Sequence, residues 1–81
     1  MPDSVQLTIV VNGQPTQVRA NPEAAVHSLI ERALQQTGNA GQPADNWELR
    51  NAQGQPTPLS AKVEEFLGQT LFLNLKAGVG G

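Results

Sequence analysis

The tightest constraint on this chain is that it carries one amphipathic helix pattern and no second. Val26, Leu29, Ile30, Ala33 and Leu34 recur at helical spacing and make a single apolar stripe. A lone helix must lay that stripe on something, and here a sheet is the only available surface. The preceding segment supplies part of one. Val5, Leu7, Ile9 and Val11 alternate with Gln6, Thr8 and Val10, the period of a half-buried strand. Asn12-Gly13 follows, and both residues tolerate positive φ, which predicts a tight hairpin. A returning strand is expected over 16–20, with Val18 and Ala20 inward. Pro15 stands at its start, where a missing N–H does least harm.

Asn21-Pro22-Glu23 predicts the helix start. Asn is a preferred cap, Pro suits the first helical position, and Glu complements the positive end of the dipole. Gly38 is the expected left-handed stop, and the polar stretch 38–46 reads as a loop. Trp47 and Leu49 flank Glu48 in a short strand, with Trp47 at the core or its edge. Residues 51–55 turn the chain, and Pro56-Thr57-Pro58 permits at most a short edge strand. Ser60 is expected to cap a brief helical turn that carries Val63, and then Phe66 or Leu67, inward. In the last strand Leu71, Leu73 and Leu75 alternate with Phe72, Asn74 and Lys76. The first and last strands are the most apolar, so they are expected side by side in the middle of the sheet.

The predicted architecture is α+β: a mixed sheet of four to five strands packed on one helix, over residues 1–76. A flexible tail is expected over 77–81, where Ala77-Gly78-Val79-Gly80-Gly81 holds three glycines in five residues.

Composition narrows the function. A chain of 81 residues with a 38% apolar share fills a small core and leaves little for a deep catalytic cleft. Its formal net charge is −2, and Arg19, Arg32, Arg50, Lys62 and Lys76 are scattered, which disfavours nucleic acid. The absence of cysteine points to the cytoplasm and removes thiol chemistry. No apolar run approaches membrane-spanning length, and the first residues lack signal-peptide character. His27 and Ser28 are adjacent on a helix and do not face each other, so they make no catalytic pair. Glu64-Glu65 reads as a solvated face, and one histidine among dispersed acids offers no metal site. The glycines of the tail precede no helix and are no phosphate loop. The sequence therefore predicts a monomer that is not an enzyme and binds no cofactor or metal.

The order of elements resembles ubiquitin and its relatives over nearly the whole chain. The strand Thr70-Leu71-Phe72-Leu73-Asn74-Leu75-Lys76, followed by a tail to Gly80-Gly81, resembles the last strand and tail of that family. More narrowly, Val11-Asn12-Gly13-Gln14-Pro15, Asn46-Trp47-Glu48-Leu49-Arg50 and Leu75-Lys76-Ala77-Gly78-Val79-Gly80-Gly81 resemble bacterial ubiquitin-like proteins. The resemblance implies a β-grasp fold and a protein modifier. Its C-terminal glycine would be adenylated by a partner activating enzyme that uses ATP, then conjugated to a target protein. It also implies a conjugating enzyme and a deconjugating protease as partners. Gly80 and Gly81 become the attachment element. Lys76 matches a basic tail residue read by activating enzymes, and Phe72, Arg50 and Val79 join it as candidate recognition residues. The family's apolar surface patch is largely replaced: its central Ile falls near Arg50 and its Val near Asn74, leaving Phe72. A sulfur carrier with a C-terminal thiocarboxylate, and a non-covalent interaction module, are the alternatives.

Overall fold

The computed structural model describes residues 4–76. Five principal elements follow one another: β1 (Val5–Val11), β2 (Gln14–Ala20), α1 (His27–Gln36), β3 (Trp47–Arg50) and β4 (Thr70–Leu75). Short 3-10 turns lie at Ala44–Asn46 and Val63–Phe66. The sheet order is β2-β1-β4-β3. β1 and β4 are the central pair and run parallel, while β1–β2 and β3–β4 are antiparallel. The expected fifth strand reduces to an isolated bridge between Arg50 and Pro56. Prolines on both sides of Thr57 leave too few donors for a ladder.

The β1–β2 hairpin turns on Asn12 at φ 51° and Gly13 at φ 89°. Two positive φ values give the type I′ twist that matches the strands. Pro15 sits inside β2 opposite Val10, and β2 is an edge strand, so its missing N–H breaks no ladder. One face of the sheet carries Leu7, Ile9, Val11, Val18, Leu49, Leu71 and Leu73, all buried. The helix stripe Leu29, Ile30, Ala33 and Leu34 closes over them, with Val26 and Val63 fully buried at its end.

The helix begins later than its sequence signals suggest. Asn21 caps a turn instead, its Oδ1 accepting from the Glu23 N–H at 2.8 Å. The backbone of the next residues is committed to the 59–64 segment. Val26 and His27 donate to the carbonyls of Ala61 and Leu59, while Pro22 and Ala24 accept from Glu64 and Val63. Backbone groups held by a second segment cannot also serve a first helical turn, so α1 starts at His27.

Its end matches expectation. Gly38, at φ 79°, donates to Gln35, and the Asn39 N–H reaches the Leu34 carbonyl at 2.7 Å, a Schellman closure.

Two further expectations are corrected. Ser60 caps nothing; the 3-10 turn begins after Lys62, whose N–H donates to the Glu65 carboxylate. Phe66 packs on the core, whereas Leu67 is exposed. Leu75 does not point into the core but is 37% exposed. The β1 partnership of β4 ends at Val11–Leu73, so Leu75 lies beyond it with β3 as its strand neighbour.

Candidate functional site

The outward face of the sheet is set by the same alternation that builds the core. With Leu71 and Leu73 inward, Thr70, Phe72 and Asn74 face out. Phe72 pairs with Arg50 on one side and with Val10 on the other, and Val10 pairs in turn with Pro15. A row of four side chains therefore crosses the whole sheet: Pro15, Val10, Phe72, Arg50. Val10 and Phe72 are half-buried against their neighbours. Polar side chains border the row, with Thr8 and Thr70 on one side and Glu48 and Asn74 on the other.

Arg50 is held in place. Its Nη2 lies 3.1 Å from Glu48 Oε1, and its Nη1 donates to the Gly54 carbonyl at 2.6 Å. The second contact fastens the strand to the 51–54 turn. That turn is closed by Asn51, whose Oδ1 accepts from the N–H groups of Gln53 and Gln55. Fixing the guanidinium lowers the entropy that a partner would have to remove on binding. The arrangement presents a small apolar strip ending in a positioned cation.

Of the residues singled out from the sequence, Phe72 and Arg50 come together as direct cross-strand partners. Lys76 is separate from them. It stands one residue past β4, is exposed, and lines a groove with His27, Asp45, Trp47 and Leu59. Its N–H donates to the Asn46 carbonyl at 2.8 Å, so the β3–β4 pairing extends one residue past the strand. Val79, Gly80 and Gly81 lie outside the described residues. Val10 and Pro15 are additions that the sequence reading missed as surface residues. The available signal was Val10 itself, an apolar residue at an outward position of an otherwise alternating strand.

His27 is exposed beside the groove, and Ser28 donates to the Ala25 carbonyl. Glu64 and Glu65 are both exposed. Among the described residues, no three His, Asp or Glu side chains converge as a metal-binding group would require. No described helix is long and apolar enough to cross a membrane.

Comparison with known proteins agrees with the fold. A designed protein based on ubiquitin superposes with a TM-score of 0.72 at 24% identity, covering 100% of this chain and 99% of its own. The ubiquitin of Caldiarchaeum subterraneum gives 0.69 at 19% identity over 95% of this chain and 99% of its own. At such identities the likeness shows the fold. The uncharacterized protein y4jI of Sinorhizobium fredii is 45% identical over 83 residues, covering 99% of this chain. The chain spans 64% of that relative's length. The profile described as "Protein of Unknown function (DUF2604)" matches residues 1–81, and so the chain is a member of the DUF2604 family with a ubiquitin-like β-grasp fold.

Proposed function

We propose that this chain is a ubiquitin-like protein modifier, activated at the carboxylate of Gly81 once that residue is exposed as a terminus, natively or by processing, and joined to an amine of a target protein. One combination carries the reading. The body is a β-grasp domain whose β4 is paired on both sides, and the sequence leaving it at Lys76 is Ala77-Gly78-Val79-Gly80-Gly81.

A carboxylate is a poor electrophile. A partner activating enzyme would use ATP to convert it to an acyl adenylate, releasing pyrophosphate. A nucleophile of that enzyme would then displace AMP, and the target amine would complete the amide. Glycine suits this chemistry because it has no Cβ to obstruct the attacking atom. The body's part is recognition and positioning, which turns an encounter between carboxylate and nucleophile into a step within one complex. Phe72 and Arg50 would form the contact on the sheet, and Lys76 and Val79 the contact along the tail. A conjugating enzyme and a deconjugating protease would read the same features.

The test is expression of a tagged chain in the native host. Adducts of higher mass are expected with the full sequence and should vanish when Gly80 and Gly81 are deleted. Adducts that persist after the deletion would refute attachment through the tail. A free protein whose terminal oxygen is exchanged for sulfur would replace this reading with the sulfur carrier. Partner binding unaffected by the deletion, with no adduct at all, would leave a non-covalent module.

A further inference from the structure

Arg19 and Arg32 are 13 positions apart in the sequence, and the fold brings them together at the end of β2. Arg32 reaches across the strand edge from α1, and its Nη1 donates to the carbonyl of Arg19. The Arg19 guanidinium turns to Ser4, where its Nη1 donates to Oγ at 3.2 Å. The second cation is therefore bonded to the backbone of the residue that carries the first. Both line one open hollow of about 210 Å³ with Ser4, Ala20 and Asn21. Glu23 and Glu31 are the acids nearest to them in sequence, and neither pairs with them; among the described residues the one ion pair is Arg50–Glu48. Two like charges in one hollow repel each other, and no described carboxylate offsets them.

The polar groups of the hollow are weighted toward donors. Four acceptors there already receive a bond. The Arg19 carbonyl takes Arg32, Ser4 Oγ takes Arg19, Asn21 Oδ1 takes the Glu23 N–H, and the Asn21 carbonyl takes the Ala24 N–H. Each guanidinium carries five N–H groups and spends one of them on a described residue. The Asn21 amide adds two N–H donors, and the Ser4 hydroxyl, already an acceptor, has its own proton to give.

We propose that this hollow binds a phosphate monoester, presented as a phosphorylated side chain of a partner protein. Two guanidinium forks call for a ligand that is rich in acceptors and carries about two negative charges. A phosphate monoester has three acceptor oxygens and a charge of about −1.5 to −2 near neutral pH, whereas a carboxylate has two oxygens and a single charge. Ala20 is the one apolar residue of the lining and no aromatic stands there, so the base of a nucleotide gains no contact. The lining residues other than Ala20 are exposed, which leaves room for a phosphate carried on a protein surface. The hollow lies at the β2 edge of the sheet, and Arg50 stands on β3 at the opposite edge. Binding there is separate from the tail and needs no adduct to be detected.

The probe is a short peptide with one phosphoserine between uncharged alanine and glycine flanks, titrated into the full chain. The backbone amides of Arg19 and Asn21 should shift saturably in nitrogen–proton NMR spectra, and the unphosphorylated peptide should leave them in place. Arg19→Gln and Arg32→Gln should each raise the dissociation constant at least fivefold with circular dichroism unchanged. Lys62→Gln removes an equal charge elsewhere and should change it less than twofold. The site is overturned if the shifts do not saturate, if both arginine variants bind as well as the parent, or if Lys62→Gln weakens binding as much as they do. Equal binding of the peptide with aspartate in place of phosphoserine would overturn the phosphate class. Tighter binding of AMP than of the peptide would overturn a phosphorylated side chain as its source.

Discussion

Arg50 on β3 stands directly across from Phe72 on β4, and hydrogen bonds to Glu48 and Gly54 hold its guanidinium beside the outward sheet face. A partner adapted to it should offer an apolar contact and an acceptor together.

Phe72→Ala should therefore separate recognition from folding. Cross-strand pairs of this kind contribute about 0.2–1 kcal/mol, so the denaturant midpoint should move only slightly. Adduct formation in the native host should fall at least tenfold. A loss of adducts matched by global unfolding would show that Phe72 serves the fold instead.

Arg50→Ala should lose the ion pair and release the 51–54 turn. The two charged side chains are 38% and 35% exposed, so the ion pair itself is screened and contributes at most about 1 kcal/mol. Amide hydrogen exchange at Gln53, Gly54 and Gln55 should quicken while β1 and β4 remain protected. Unchanged exchange in the turn would refute the fastening role of the Arg50–Gly54 bond.

The free edge of β2 is covered by the helix. Arg32 Nη1 donates to the Arg19 carbonyl, and Gln36 Nε2 donates to the Gln17 carbonyl at 2.7 Å. Those acceptors would otherwise invite another strand. The double variant Arg32→Ala/Gln36→Ala should form concentration-dependent dimers or larger species by sedimentation, with little change in secondary structure. A variant that remains monomeric at millimolar concentration would show that Pro15 and the twist of the sheet suffice.

Gly38→Ala isolates the cost of the helix stop. A Cβ at Gly38 meets no atom within 4 Å, so the whole effect is that of φ 79°. A left-handed alanine costs about 1–2 kcal/mol, and Gly38→Asn should cost less. Leu73→Ala provides the contrast. Leu73 is fully buried between β1 and β3, and such truncations cost about 2–5 kcal/mol. That is a large part of the total for a domain this small.

These costs track what was legible in the sequence. The hairpin at Asn12-Gly13, the helix stripe, the Gly38 stop and the inward Leu71 and Leu73 follow from local conformational preference and periodicity, which a sequence displays directly. The central, adjacent placing of β1 and β4 followed from their apolar content, whereas their parallel direction is seen only in the register. The start of α1 did not follow. Asn21, Pro22 and Glu23 carry the local signals of a helix, but the backbones of Pro22, Ala24, Val26 and His27 are bonded to residues 59–64, which are remote in sequence. Leu75 was misplaced for a similar reason, since its exposure depends on where the β1–β4 pairing ends. On the candidate face, Phe72 was readable from alternation, and Arg50 entered through the family resemblance. Their direct opposition, and the addition of Val10 and Pro15, depend on register. The meeting of Arg19 and Arg32 is visible only once the helix lies on the sheet.

The central claim is covalent attachment through the tail, and peptide mass spectrometry of a native-host lysate tests it most directly. Trypsin cuts after Lys76, so a conjugated protein should carry Ala-Gly-Val-Gly-Gly on a lysine side chain or an N-terminal amine. Finding that remnant, and losing it when Gly80 and Gly81 are deleted, is the predicted result. A tail recovered only as an unmodified carboxylate, with the partner enzymes expressed, would contradict the account.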